Sequence, residues 1–131
     1  MIRILIAGRD ASSLSAFQSA LDESDTRTTH MDSGRQTLSA ISEGGFDLLV
    51  ADEHLGDMTG FELIESVIAR QPMLNCAMVS SLAPDEFHEA SEGLGILMQL
   101  SGDPGKDEAR QLLEHLRTIQ SFAKNSVPRE S

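Results

Sequence analysis

The stretch that decides the fold is Phe46-Asp47-Leu48-Leu49-Val50-Ala51-Asp52, followed shortly by Gly56-Asp57-Met58-Thr59-Gly60-Phe61-Glu62-Leu63. Leu48 to Ala51 form a continuous apolar run with no polar alternation. A run this short suits a strand covered on both faces, as in a parallel sheet. Similar runs occur at Ile4-Leu5-Ile6-Ala7, Ala77-Met78-Val79 and Ile96-Leu97-Met98. Thr26 to Met31 is more polar but rich in threonine, which predicts a strand at or near a sheet edge.

Helical patterns fill the intervals. Ser12 or Ser13 suits the cap of a helix that turns Leu14, Phe17 and Leu21 inward. Ser33 opens a second, with Leu38 and Ile41 inward, ending at Gly44-Gly45. Phe61, Ile64, Val67 and Ile68 mark a third, closed by Pro72 after Gln71. Pro84 suits the first turn of a fourth, which stops at Gly93. Ala109, Leu112, Leu113, Leu116 and Ile119 give the clearest stripe, on the fifth. Strand and helix alternate five times, the signature of a doubly wound α/β domain over residues 1–123. Residues 124–131 read as a disordered tail or linker stub, compatible with a whole protein or with a domain cut from a longer one.

The 131 residues fit one domain. With 21 acidic and 10 basic residues, the net charge of −11 argues against nucleic acid or anionic lipid as a partner. The single cysteine, Cys76, lies in an apolar stretch and reads as a buried, inert thiol. The N-terminal apolar run is too short for a signal peptide, and no stretch approaches the ~20 apolar residues of a membrane span. The expected location is cytoplasmic.

In an open parallel sheet, chemistry collects at the carboxyl ends of the strands. Those ends read as Gly8-Arg9-Asp10 after the first strand, Asp52 after the third, Ser80-Ser81 after the fourth and Gln99-Leu100 after the fifth. The segment around Asp52 resembles the core of response-regulator receiver domains. In that family an apolar strand ends in an aspartate, and a loop closes on a glycine eight positions later, here Gly60. Met58-Thr59-Gly60-Phe61-Glu62-Leu63 is typical of the family, and Val79-Ser80-Ser81 matches its switch hydroxyl followed by a small residue. The resemblance spans about residues 2 to 122.

The resemblance implies a flavodoxin-like receiver fold, a five-stranded parallel sheet of order 2-1-3-4-5 with five helices, serving two-component signal transduction. It places Asp52 at the phosphoacceptor position, phosphorylated by a histidine kinase, and Ser80 as the hydroxyl that binds a phosphoryl oxygen. A carboxylate attacking phosphorus needs its charge neutralised, which Mg²⁺ supplies. By resemblance the metal is held by Asp52, by acidic residues at the end of the first strand and by the backbone carbonyl of His54. A lysine on the fifth strand completes the family's site.

Measured against that pattern, Asp52 and Ser80 are kept and other parts are lost. The acidic pair aligns with Gly8 and Arg9, which turns two negative charges into one positive. Asp10 comes one position late and serves as a metal ligand only if the strand end is bulged. Glu53 offers a carboxylate, but strand alternation points it away from Asp52. The lysine's counterparts are Gln99 or Leu100; Lys106, in the loop after Gly102-Asp103-Pro104-Gly105, reads as a solvated surface lysine. Ile96 to Met98 lack the family's aromatic residue, and Gly56 replaces the loop's common proline. Two geometries are open for Arg9: a bidentate pair with Asp52 that blocks a phosphodonor, or a side chain in solvent.

The expectation is a receiver domain that acts through protein contacts, with Mg²⁺ binding and phosphorylation impaired. The alternative is a conventional phosphoacceptor, and a second, of another class, is a flavodoxin-like ligand-binding protein or small enzyme. Against a flavin stands the lack of Trp and Tyr. Against an enzyme stands the absence of a nucleophile elbow or Ser-His-Asp order. His30, His54, His88 and His115 lack metal-ligand spacing and read as surface histidines. The partners implied are a histidine kinase or other signalling protein, a second copy of the chain as homodimer, and an output partner. The last would meet the fourth helix (Pro84 to Glu92), fifth strand and fifth helix, with Glu86, Phe87, Glu92, Arg110 and Glu114 at the surface.

Overall fold

A computed structural model describes residues 2–8, 15–22, 26–102 and 104–125 of the chain. Its strands are β1 (Ile2–Ala7), β2 (Thr26–Met31), β3 (Leu48–Asp52), β4 (Asn75–Val79) and β5 (Met98–Leu100). Its helices are α1 (Ser15–Leu21), α2 (Gly34–Glu43), α3 (Gly60–Arg70), α4 (Pro84–Ala90) and α5 (Lys106–Asn125). The strands form one parallel sheet in the order β2-β1-β3-β4-β5. The expected architecture is the observed one. β3 is central, and Leu48, Leu49, Val50 and Ala51 have no exposed surface, as their unbroken apolarity requires. The threonine-rich β2 lies at an edge, where a polar strand costs least.

Alternation along the strands divides the core in two. Ile4, Ile6, Leu48, Val50, Ala77, Val79 and Leu100 face one side with Phe17, Leu21 and the α5 stripe Ala109, Leu112, Leu113 and Leu116. Leu5, Ala7, Leu49, Ala51, Cys76 and Met78 face the other with Ile41, Leu63, Ile64, Val67 and Phe87. Side chains this well enclosed each contribute roughly 1.5–3 kcal/mol relative to exposure.

Helix boundaries follow local chemistry. The Ser33 hydroxyl accepts from the Gln36 amide to start α2, and Gly44 at φ +84° ends it. Thr59 and Glu62 form a capping box at α3, which the apolar stripe alone does not announce. Pro84 occupies the first turn of α4, as expected. The proposed caps Ser12 and Ser13, with Leu14, lie outside the described residues.

Several expectations need correction. The fifth strand is Met98–Leu100, not Ile96 to Met98. Pairing with β4 begins at Ala77 and Met98, while Ile96 and Leu97 approach the sheet just after the Gly95 turn, at φ +65°. Gln99 and Leu100 therefore lie within the strand, not beyond it. α4 stops at Ala90, because residues 91–93 turn toward Gly93 at φ +85°. Phe87, expected on the surface, is buried and packs against Phe61 with ring centroids 6.0 Å apart. Lys106 opens α5 instead of lying in the preceding loop, and is exposed as expected. α5 itself continues to Asn125. Among the described residues, no helix is long and apolar enough to cross a membrane.

Candidate functional site

The strand registers fix what surrounds Asp52. Ala7 pairs with Ala51, Asp52 with Val79, and Val79 with Leu100. At the carboxyl edge this puts Gly8, Asp52, Val79 and Leu100 in one row. The next row holds Glu53, Ser80 and Ser101. Residues level with one another on parallel strands share a face, and consecutive rows alternate. Asp52 thus belongs to the α1 and α5 side, while Glu53 and Ser80 come just after the paired residues of β3 and β4.

The Asp52 carboxylate is half-buried, and its Oδ1 accepts a hydrogen bond from the Glu53 backbone amide at 2.6 Å. Gly8, buried beside it, donates its backbone amide to Met31 and has no side chain to offer. Arg9 and Asp10 lie outside the described residues, so neither the Arg9 pair nor the bulged Asp10 ligand is placed.

Ser80 is 3% exposed. Its hydroxyl donates to Glu53 Oε1 at 3.0 Å and accepts from the Leu82 amide at 3.1 Å. The Glu53 side chain, just past the end of β3, meets the Ser80 hydroxyl. No local motif announces this partnership, because it depends on how β3 and β4 are paired just before these residues. Gln99, at a counterpart position of the family's lysine, turns its side chain to the segment after β4. Its side-chain amide spans the carbonyls of Ser80 (3.3 Å) and Leu82 (2.8 Å), tying the segment after β4 to β5. Leu100, the other counterpart, is wholly buried in the core. Ser101, level with Ser80, is bound through its amide and hydroxyl to Glu108.

The loop after Asp52 is held from both ends. Gly60 donates its amide to the Glu53 carbonyl at 2.8 Å, and Leu55 donates to Met58 at 3.0 Å. His54 is exposed and forms an isolated bridge with Thr59. A side chain at Gly60 would overlap the Asp52 carbonyl oxygen and stand 2.6 Å from Met78 Cε. That close approach is why a glycine stands eight positions after the aspartate. Gly56 sits at φ +87°, a backbone conformation that glycine adopts freely and proline, fixed near φ −65°, cannot.

Asp57 also escaped the sequence reading. Its carboxylate accepts from the first amides of α2, Gly34 at 2.9 Å and Arg35 at 3.0 Å. The Gly34 bond chiefly, then the Arg35 bond, lowers its pKa below the ordinary 3.8. The Asp52 loop is thereby fastened to the neighbouring helix. No local motif announces a cap supplied from another element.

Among the described residues, no group of three or more His, Cys, Asp or Glu side chains could hold a metal ion. His54, His88 and His115 are exposed as expected; His30 is not, since its ring is half-buried and its Nε2 has no hydrogen-bond partner among the described residues. Cys76 is buried, and desolvation pushes its thiol up to about 12, in keeping with an inert role.

Comparison with known proteins adds a family. The response regulator receiver domain matches residues 4–116. Among solved structures, the chain is similar to the chemotaxis response regulator CheY4 of Vibrio cholerae, at 18% identity and a TM-score of 0.80, covering 88% of this chain and 98% of that one. It is also similar to the signal receiver domain of an HD domain-containing protein from Pseudomonas fluorescens Pf-5, at 17% identity and TM-score 0.82, covering 96% and 93%. A CheY-like receiver domain protein from Methanospirillum hungatei JF-1 matches at 24% identity and TM-score 0.79, covering 95% and 98%. At these identities the structures speak to the fold. No curated protein matches the chain.

Proposed function

The chain belongs to the response regulator receiver domain family, and on that premise we propose a signalling module that acts through protein contacts, with Mg²⁺ binding and phosphorylation at Asp52 impaired. The observation that carries this reading is the row Gly8, Asp52, Val79 and Leu100, set by the strand registers. Asp52 is its one carboxylate, and the row contains no cation. A phosphodonor meeting Asp52 is repelled unless its charge is neutralised. A hard dication needs ~6 oxygen ligands, and among the described residues one carboxylate with the His54 carbonyl is a poor set. The lysine positions do not make up the difference, since Gln99 serves backbone carbonyls and Leu100 packs in the core.

Function then rests on surfaces, and the module catalyses no reaction of its own. α4, β5 and α5 present the exposed Glu86, Glu92, Arg110 and Glu114, a mixed polar face suited to an output protein or to a second copy. A histidine kinase or another signalling protein is the upstream partner. The acidic balance of −11 disfavours nucleic acid.

Titration with MgCl₂, followed by the amide resonances of Asp52, Glu53 and His54, tests the reading. The wild-type chain is expected to show no saturation up to ~10 mM, and a Gly8→Asp/Arg9→Asp double variant to saturate well below that. Saturation of the wild type at millimolar Mg²⁺ or lower would overturn the impaired-site reading in favour of a conventional phosphoacceptor.

A further inference from the structure

Glu53 is the residue whose placement the receiver reading does not use. Glu53 follows the end of β3, and Ser80 follows the end of β4, each one residue past the last paired positions Asp52 and Val79. There its carboxylate takes the Ser80 hydroxyl proton at 3.0 Å. A serine hydroxyl has a single proton to donate. The Leu82 amide donates to the same oxygen at 3.1 Å, so Ser80 is engaged both as donor and as acceptor. Around it, the Gln99 amide holds the Ser80 and Leu82 carbonyls. One residue further, Ala83 donates its amide to Glu86 at the start of α4. Hydrogen bonds thus tie Glu53, Ser80, Leu82 and Gln99 together, and the next residue along the chain, Ala83, is bonded to the first turn of α4.

We propose that Glu53 is a positioning residue whose carboxylate holds the Ser80 hydroxyl in place of a phosphoryl oxygen, and so fixes the segment 80–83 that leads into α4. The phrase "in place of a phosphoryl oxygen" rests on the receiver reading above; the clamp itself rests on the hydrogen bonds. The physical argument is one of competition. Ser80 is nearly inaccessible, its only proton is committed, and the acceptor is an ionised oxygen, which binds such a proton more strongly than a neutral one. A negative charge already present in the chain thereby does what a transferred one does in a phosphorylated receiver. The segment before α4 is set without any donor.

Amide hydrogen exchange and carboxyl ¹³C shifts test this without a phosphodonor. In Glu53→Ala, exchange at Leu82 is expected to rise about tenfold, with shifts at Asp85 and Glu86. Exchange at Leu49 and Val50, in the central strand, is expected to stay as in the wild type. Glu53→Gln keeps an acceptor at the same reach and should restore most of the Leu82 protection. In Ser80→Ala the Glu53 carboxyl resonance should move, a signature that simple loosening of the fold does not give. Unchanged Leu82 exchange in Glu53→Ala, or an unmoved Glu53 carboxyl in Ser80→Ala, overturns the clamp. Failure of the receiver-site reading would show separately, as tight Mg²⁺ binding by the wild type, and the exchange result would still decide the clamp.

Discussion

Replacing Gly60 by alanine sets two effects of opposite sign against each other. Gly60 is the first residue of α3, where alanine has the better helix propensity, by up to ~1 kcal/mol. The added Cβ, however, would overlap the Asp52 carbonyl oxygen and lie 2.6 Å from Met78 Cε. The methionine end can swing aside; the carbonyl is part of the central strand and cannot. α3 must therefore back away from β3, an overpacking cost of ~1–3 kcal/mol. The net expectation is a loss of about 1–2 kcal/mol, or roughly 4–8 °C in Tm for a domain of this size. Urea unfolding followed by circular dichroism measures it, and amide shifts at Asp52 and Glu53 report the displacement. Gly56→Ala is the companion variant, because Gly56 has open space around it but sits at φ +87°. It should lose ~1–2 kcal/mol by backbone strain alone, without moving the Asp52 resonance. A Gly60→Ala protein as stable as the wild type, or more so, would refute the packing argument.

Two further predictions rest on single residues. The pKa of Asp57 is lowered by the α2 amides, so its contribution to stability is present above its unfolded value of 3.8 and is lost as pH falls through the lower folded value. Tm measured against pH should therefore show the wild type above Asp57→Asn at neutral pH, with the gap closing only below pH ~4; a gap independent of pH contradicts this. The Cys76 thiol, at about 12 and 2% exposed, should resist a thiol reagent at pH 8 in the folded protein and react on unfolding.

How far the sequence reaches depends on whether the information is local. The Leu48 to Ala51 run, the Ser33 cap, Pro84 and the α5 stripe each state their structure within a few residues, and the sheet order followed from the resemblance around Asp52. Boundaries set by pairing were less legible. The apolar run Ile96 to Met98 suggests a strand, yet pairing with β4 selects Met98–Leu100. Phe87 belongs to a helix that looks polar, but its ring meets Phe61 across the fold. At the site, Asp52, Ser80 and Gly60 are singled out by the resemblance around Asp52. Glu53, Asp57 and the role of Gln99 are not, since each acts on a partner from another element. Such bonds depend on register, which no single stretch encodes.

The account's central claim is that Asp52 occupies a phosphoacceptor position without the charge neutralisation that phosphoryl transfer needs. Incubation with acetyl phosphate and Mg²⁺, followed by intact mass measurement, tests it most directly. The account predicts an unmodified wild-type mass. An adduct of ~80 Da on the wild type, absent from Asp52→Asn, would contradict it.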